Sequence, residues 1–475
     1  MNNLIKKFLE YAFGNGIVVI LSLLSSGIVT RLMSTGEKGK ADLFVTYTSL
    51  LVLILTMGID QAFIRYYNDE KVENRGGLLR RAVKFPIILS IITSVICIVF
   101  YNPLSNYMVK ETSLLLIILF GLNIIVSIAG NFAIINIRMK QKAKTYSLAS
   151  ASNKLSYILL LFLFYNRFND NYITIVTTTV IGNLVMLIFA VIVEYKDWFK
   201  SNDGIKLNTT VDDLRRYGMP FIFSMGLTWV FQSADRISLQ HLSTEEQIGI
   251  YGGAMTIVQI LNTVQGIFTT FWTPVAYEKY SINPEDTKFF SKMNEIVSFS
   301  MLILASGLMV FKDLIVLFLG SEYREARYIF PFLVLMPIMY TISETTVLGI
   351  NFKKQTKNHT YIAIASAGAN IIGNIILVPS LGAKGAAIST GLAYVIFYIM
   401  RTYLGNKYYT IEMNNKKFFI SVVAVYILAI FSSVYKFNVI ILAVSLMTFA
   451  VILLMYKNLI GEIFILIKTK IIKRY

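Results

Sequence analysis

The residues of this sequence that could do chemistry are charged side chains set inside long apolar segments. Three of them are cationic: Arg31, Lys154 and Arg236. A charge near the centre of a bilayer costs roughly 2.5–3.5 kcal/mol on insertion scales, so it is kept where it faces water, has a partner or reaches the interface. Cationic groups that face water bind anions such as phosphate. Arg31 and Lys154 lie close enough to the ends of their segments that both can also reach the interface.

Three acidic residues share this setting: Asp60, Asp235 and Glu344. Carboxylates inside a membrane either bind H+ or Na+ and couple transport to a gradient, or form structural ion pairs and hydrogen bonds. Asp235 directly precedes Arg236, and adjacent residues on a helix do not face each other, so an ion pair would need a residue of another helix. Both interpretations stay open, and the three acids are candidates for ion coupling.

Uncharged polar side chains recur at helical spacing near these charges. Gln232 lies one turn before Arg236, and Ser147 and Ser150 precede Lys154 on one face. Two further stripes are Gln259, Asn262, Gln265 and Thr269 in one segment, and Ser366, Asn370 and Asn374 in another. Such stripes form interhelical hydrogen bonds or line a cavity, and we favour one shared aqueous cavity because several segments carry them. The predicted substrate-binding residues are therefore Arg31, Lys154, Gln232, Arg236, Gln259, Asn262 and Asn370.

The elements that hold these residues are predicted to be membrane-spanning helices. Of 475 residues, 56% are hydrophobic and 15% charged, with a mean hydropathy of +0.63, whereas soluble domains carry about 25% charged residues. Apolar runs of about 20 residues, long enough to cross a bilayer, recur along the chain and predict an all-α polytopic membrane protein with about fourteen spans. The predicted spans are 11–32, 43–64, 84–101, 114–136, 146–165, 172–193, 217–241, 249–275, 296–318, 329–350, 360–379, 384–404, 418–434 and 437–456.

The basic residues predict the orientation of the chain. The formal net charge is +17, but the lysines and arginines lie in short loops between apolar spans. This placement favours topology and lipid contact over nucleic-acid binding. When alternate loops are assigned to the two sides, 32 basic residues fall on the side of the N-terminus and 9 on the other. We therefore expect a multi-pass protein of the cytoplasmic membrane, with both termini in the cytoplasm.

A weak internal repeat predicts two halves of like orientation. Tyr11, Arg31 and Ser34 in the first half correspond to Tyr217, Arg236 and Ser243 in the second, with six spans between the copies. The predicted organisation is an N-terminal lobe over 1–193, a cytoplasmic linker over 194–216, a C-terminal lobe over 217–410, and two further spans with a basic tail over 411–475. The end of that tail, 457–475, is expected to lie in the interface as an amphipathic helix.

Motifs of enzymes and of metal sites are absent from the sequence. No P-loop pattern of the form GxxxxGK[ST] occurs, so ATP hydrolysis by this chain is not expected. Cys97 is the only cysteine, and the two histidines, His241 and His359, are far apart. We therefore expect no catalytic residue, no disulfide and no metal site, and the chain is not expected to be an enzyme.

Three stretches resemble the polysaccharide and O-antigen (Wzx-type) flippases of the multidrug/oligosaccharidyl-lipid/polysaccharide (MOP) exporter superfamily, whose MATE branch exports drugs. The first is TRLMSTGEKGKADLF with LTMGIDQAFIRYY, which is similar to that family's opening pair of helices. The second is YGMPFIFSMGLTWVFQSADRISLQHLSTEEQIGIYGG, followed by FWTPVAYEKY. The third is NIILVPSLGAKGAAISTGLAY. The resemblance rests on the order and spacing of these stretches rather than on one motif.

This resemblance implies a fold and a function. The fold would be two pseudo-symmetric six-helix lobes forming a V around a central cavity, plus two C-terminal helices. The protein would flip a polyprenyl-pyrophosphate-linked oligosaccharide across the membrane by alternating access, for biosynthesis of O-antigen, capsule or a similar polysaccharide. Arg31, Lys154 and Arg236 would hold the pyrophosphate or acidic sugars, and an H+ or Na+ gradient would drive transport without another cofactor. Its partners would be the lipid-linked oligosaccharide, membrane lipids, and a polysaccharide polymerase with assembly proteins.

Other functions stay open at this point. A multidrug or cation antiporter of the same superfamily would favour an acidic, aromatic cavity, which three cations in the spans argue against. A lipid II flippase also has fourteen spans, although the stretch over helices 7 and 8 is more similar to the polysaccharide branch. A membrane glycan polymerase generally needs a large outer catalytic loop, and the outer loops here are short.

Overall fold

The computed structural model of the chain describes residues 2–200 and 207–462, and side chains from residue 16 onward. Within these ranges, every regular element is an α-helix or a short 3₁₀ turn. Ten segments are long and apolar enough to cross a membrane, and two shorter apolar helical stretches lie at Gly16–Leu32 and Val439–Met455. The chain is therefore an all-α, multi-pass membrane protein.

Two compact units divide the chain, Met1–Arg236 and Ile237–Tyr475. The helices of the first half are α1 (Asn2–Leu32), α2 (Thr35–Thr56), α3 (Ile59–Tyr66), α4 (Arg75–Val99), α5 (Tyr101–Val109), α6 (Leu114–Met139), α7 (Ala143–Phe168), α8 (Tyr172–Val193), α9 (Tyr195–Phe199) and α10 (Val211–Leu242). The boundary between the units falls near the end of α10. The lobes expected from the sequence, over 1–193 and 217–410, stay a prediction.

The second half continues with nine helices in the described ranges. They are α11 (Glu245–Ile282), α12 (Thr287–Val310), α13 (Lys312–Val316), α14 (Ala326–Glu344), α15 (Leu348–Phe352), α16 (Lys357–Leu381), α17 (Ala383–Tyr408), α18 (Asn415–Ser432) and α19 (Val439–Met455). Fourteen long helices in the described ranges overlap the fourteen predicted spans, with bounds that differ at several of them. Residues 463–475 of the predicted amphipathic tail lie outside the described residues.

The second predicted span, 43–64, is not one helix. The chain instead forms α2 and α3, which meet at Met57 and Gly58, both with positive φ (53° and 66°). The backbone of α10 touches this junction: a Cβ atom on Gly58 would lie 2.2 Å from the carbonyl oxygen of Gly218. Because only glycine gives this backbone both freedom and room, the sequence allows α10 to cross α2 and α3 at van der Waals distance.

Aromatic side chains fill the interior of the first unit. Phe44 and Phe120 join α2 to α6 edge to face, with ring centroids 5.8 Å apart. Phe63 and Phe132 join α3 to α6 in the same way at 6.1 Å. Inside a bilayer the hydrophobic effect does not favour helix association, so this close packing holds the helices together.

The predicted linker is attached to the first unit where the structure describes it. Glu194 is 5% exposed and pairs with Lys140 and Lys142. Asp197 of α9 pairs with the same Lys140 and accepts a 2.7 Å bond from Asn136. Burial alone would lower the pKa of the Lys140 ammonium, but its bonds to Asp197 and Glu194 raise that pKa. The linker therefore holds a charged lysine against α9 at neutral pH.

Candidate functional site

Lys154 lies in the middle of α7 and is half-buried. Its ammonium forms no hydrogen bond and no ion pair with any residue in the described part of the chain. Several other charges on membrane-spanning helices are paired, as Lys38 is with Asp42 in α2 at 2.6 Å. An ammonium without a counter-charge on an apolar helix can attract an anion.

A chain of side-chain amides starts at the residue that precedes Lys154. Asn153, the preceding residue of α7, donates to Asn183 of α8 at 3.0 Å. Asn183 donates to Asn123 of α6 at 3.0 Å, and Asn123 donates to Thr48 of α2 at 3.4 Å. Four helices are thus joined around the backbone that carries Lys154. The sequence analysis did not single out these amides, although three asparagines inside apolar spans are a signal that could have found them.

The predicted residues of α10 differ in their surroundings. Gln232 is exposed, whereas Asp235 is 5% exposed. Arg236 is half-buried, and its Nε atom is buried without a hydrogen-bond partner. Within the described ranges its guanidinium forms no ion pair. As predicted, Gln232 lies one turn before Arg236, so both project from one side of α10.

Arg31 and Asp60 lie at helix ends. Arg31 is exposed in the last turn of α1, where its guanidinium donates to the carbonyl of Gly27 at 2.7 Å. Asp60 occupies the first turn of α3, where a carboxylate is favoured by the partial positive charge of the helix start. Its Oδ2 accepts a 2.7 Å bond from Gln61, while its Oδ1 is buried without a partner among the described residues.

The polar stripe of α11 is partly exposed, with Gln259 exposed and its other three members half-buried. Gln259 is exposed and accepts a 3.0 Å bond from Asn262, and Gln265 donates to Thr269 at 3.3 Å. These side chains bond to one another along one helix, which leaves their remaining donors and acceptors toward the outside of α11.

Asn370 has a different environment from the α11 row. It is 1% exposed, donates to Thr390 of α17 at 3.1 Å and accepts from Asn374. The structure thus uses at least part of its amide to hold α16 against α17. Its predicted role in substrate binding stays a prediction.

Glu344, the third predicted coupling acid, is part of a buried ion pair that the sequence analysis missed. Its Oε1 accepts a 2.7 Å bond from Arg401, and the side chains are 9% and 7% exposed. Arg401 also donates to Ser343 at 2.7 Å, and its guanidinium lies 5.0 Å from the ring centres of Tyr340 and Phe397. Arg401 lies near the end of the predicted span 384–404, and α17 continues beyond that span to Tyr408 and buries this residue.

Comparison with known proteins gives a family and a fold. A family profile described as "Polysaccharide biosynthesis protein" matches residues 4–279. An uncharacterized membrane protein of Methanocaldococcus jannaschii is 22% identical over 419 residues, 82% of each chain. The probable low-salt glycan biosynthesis flippase Agl15 of Haloferax volcanii is 24% identical over 174 residues, 36% of each chain.

Solved structures with the same architecture are transporters. The lipid II flippase MurJ, in an inward closed conformation, matches with a TM-score of 0.71 at 14% identity, over 95% of this chain and 99% of that one. An inward-facing multidrug resistance transporter of the MATE family and MOP superfamily matches with a TM-score of 0.60 at 16% identity, over 82% and 94%. The predicted polytopic fold of this superfamily is therefore confirmed.

Proposed function

Because this chain belongs to the polysaccharide biosynthesis protein family, we propose that it flips a polyprenyl-pyrophosphate-linked oligosaccharide across the cytoplasmic membrane. The flipped oligosaccharide would then be used to assemble a surface polysaccharide such as O-antigen or capsule. The family and the proteins that share the fold are transporters and flippases rather than enzymes. The chain would therefore move its substrate without making or breaking a covalent bond.

The observation that supports this substrate best is the unpaired ammonium of Lys154. A pyrophosphate carries negative charge that must leave water when the lipid is flipped, and a cation already placed in a membrane helix compensates that charge. Arg236 offers a second cation, a guanidinium without an ion-pair partner in the described ranges. Its planar fork of donors suits phosphate oxygens better than an ammonium does.

Sugar hydroxyl groups need different partners from pyrophosphate. Gln259 and Asn262 present amides on the outside of α11, and amides both donate to and accept from hydroxyl groups. We assign the glycan to this row and the pyrophosphate to the cations. Amides can bond to the hydroxyl groups of many glycans, so the cations rather than the amides would set the affinity.

For energy we propose an H+ or Na+ gradient. Among the three predicted acids, Asp60 is supported by its Oδ1 atom, which is buried without a partner and so is available to a cation or proton. Glu344 is a weaker candidate, because the guanidinium of Arg401 already occupies its carboxylate. Asp235 remains a candidate for the same role.

The test is transport in vesicles that contain only the purified full-length chain. A fluorescent polyprenyl-pyrophosphate-linked oligosaccharide is placed in one leaflet, a pH or sodium gradient is imposed without nucleotide, and an impermeant quencher reports the leaflet. We expect gradient-dependent flipping that Lys154→Met abolishes, Lys154→Arg partly retains and Lys436→Met, at an exposed loop lysine, leaves unchanged. Equal rates for Lys154→Met and wild type would remove Lys154 from the site. A strict need for ATP would contradict gradient coupling, and faster flipping of lipid II would replace the proposed substrate.

A further inference from the structure

Trp229 lies near the middle of α10, in the interior of a predicted span. Tryptophan in membrane proteins is enriched at the two membrane–water interfaces. Of the other two tryptophans, Trp272 is fully buried and donates to the carbonyl of Glu344 at 3.1 Å, and Trp198 packs against the core of the first unit. Trp229 is only half-buried, so neither interface anchoring nor core packing accounts for its position.

A hydrogen bond holds the indole ring of Trp229 in one orientation. Its Nε1 atom donates to the Oγ atom of Ser49 in α2 at 2.9 Å. The Ser49 hydroxyl itself donates to the carbonyl of Thr46 at 2.7 Å, so the acceptor is also held in place. Ser49 is exposed, so this edge of the ring lies beside open space. The indole is therefore preorganised, and its polar atom has a partner before a ligand arrives.

Polar side chains form a row along the same helix. They recur every four residues and so lie on one face of α10: Ser224, Thr228, Gln232 and Arg236. The first three are exposed. The amide of Gln232 forms no hydrogen bond with any residue in the described part of the chain. An unsatisfied polar group in hydrocarbon carries a large free-energy cost, so this face of α10 borders water.

The opposite face of α10 is apolar and also exposed. Its members are Met219, Phe223 and Val230, with exposed fractions of 50%, 65% and 37%. Because successive residues are turned by about 100° in a helix of 3.6 residues per turn, these three lie nearly opposite the polar row. Acyl chains suit the apolar face, and water suits the polar one. Trp229 directly follows Thr228 and lies at the edge of the polar row.

The spacing of Trp229 and Arg236 suits a sugar that is joined to a pyrophosphate. Seven residues separate them, so they lie on one face, two turns or about 10 Å apart. A sugar ring carries hydroxyl groups at its rim and C–H groups on its faces, and the neighbouring oxygens polarise these C–H groups positively. The face of an indole is the negative part of its quadrupole and offers a large apolar surface. Thr228 and Gln232 supply partners for the hydroxyl groups.

On the basis of the function proposed above, we propose that Trp229 is the stacking platform for a sugar ring of the transported lipid. The pyrophosphate binds to Arg236, the sugar ring stacks on the indole, and Thr228 and Gln232 bond to its hydroxyl groups. Ser49 positions the indole. Trp229 thereby makes the protein select a glycosylated lipid over the same lipid without sugar, which the cations alone cannot do.

The experiment compares flipping of two lipids by the purified full-length chain in vesicles. One is polyprenyl pyrophosphate that carries a neutral trisaccharide, and the other is polyprenyl pyrophosphate without sugar. We expect wild type to have a KM about tenfold lower for the trisaccharide lipid, as one aromatic contact implies, and Trp229→Leu to lose that preference. Trp229→Phe keeps a ring without the bond to Ser49 and should retain part of it. Phe223→Leu removes an aromatic ring from the opposite face and should behave like wild type.

Three outcomes would overturn the platform while wild type still flips the trisaccharide lipid. The first is an unchanged preference in Trp229→Leu, and the second is an equal loss of preference in Phe223→Leu. The third is a wild type with the same KM for both lipids. If Trp229→Leu does not fold, Trp229→Phe decides, and a full wild-type preference there contradicts the proposal. Flipping of neither lipid by wild type would instead contradict the proposed function itself.

Discussion

Charged residues inside the helices are of two kinds, paired and unpaired, and the difference predicts what each does. Arg401 and Glu344 compensate each other at 2.7 Å in a buried setting. Lys154 has no counter-charge within the described ranges. Removal of one member of a buried pair destabilises the fold, because its partner is left without a counter-charge. An unpaired charge lowers stability, and we expect it to be kept for binding.

Replacement of Arg401 by methionine should destabilise the protein. The change leaves the Glu344 carboxylate buried without its cation, and breaking a buried pair in this way costs about 3–5 kcal/mol. The measurement is the melting temperature of the purified chain. The double variant Arg401→Met with Glu344→Gln should recover part of the loss, since no buried charge then remains. An unchanged melting temperature in the single variant would show that water already solvates Glu344.

Replacement of Lys154 by methionine should have the opposite effect on stability. Methionine fits the same space without a charge, so the melting temperature should stay the same or rise while flipping is lost. Melting temperature and flipping are measured on the same preparation, so that an effect on stability is distinguished from an effect on substrate binding. A marked fall in melting temperature would indicate that Lys154 stabilises the fold and does not bind substrate.

The sequence predicted where charges enter the spans but not which of them meet. Lys154 and Arg236 could be found because each interrupts an apolar run. The pair of Glu344 and Arg401 could not, because 57 residues separate them and no spacing rule connects two helices. Arg401 was not singled out because it lies near the end of a predicted span, where hydropathy falls, although the helix continues past it to Tyr408.

At the scale of helices, the junction of α2 and α3 is the least tolerant point of the first unit. A Cβ atom on Gly218 would lie 2.8 Å from backbone atoms of Met57 and Gly58, so Gly218→Ala forces α10 away from the junction. We expect impaired accumulation and flipping, measured in membranes and vesicles. Gly226→Ala, two turns later on α10 and with no atom within 4 Å of the new Cβ, is the control. Equal behaviour of the two variants would show that the crossing can relax.

Hydropathy located the segment of α2 and α3 approximately but did not predict the break between the two helices. The helix in the span predicted at 43–64 begins at Thr35 and includes Lys38 and Asp42, which are one turn apart and pair at 2.6 Å. This pairing lets charges that lower hydropathy occupy a helix. The break at Met57 and Gly58 depends on contact with α10, about 160 residues later in the chain, and no local pattern contains that information.

For the whole molecule, orientation is the prediction with the widest consequences. The excess of basic residues on one side predicts cytoplasmic termini. Cys97 is the only cysteine, so Cys97→Ser provides a background for single labels. Lys436→Cys, exposed in a predicted outer loop, should react with an impermeant maleimide in intact cells. Lys353→Cys, exposed in a predicted inner loop, should react only after the membrane is opened, and the reverse pattern would invert the topology.

The buried pair of Glu344 and Arg401 also constrains how this chain can diverge. Loss of either residue alone passes through an intermediate that is less stable by several kcal/mol, and such an intermediate is removed by selection. Loss of both residues together restores neutrality. Descendants of a common ancestor should therefore carry both residues or neither, and the two positions should change on the same branches of a family tree, although 57 residues separate them.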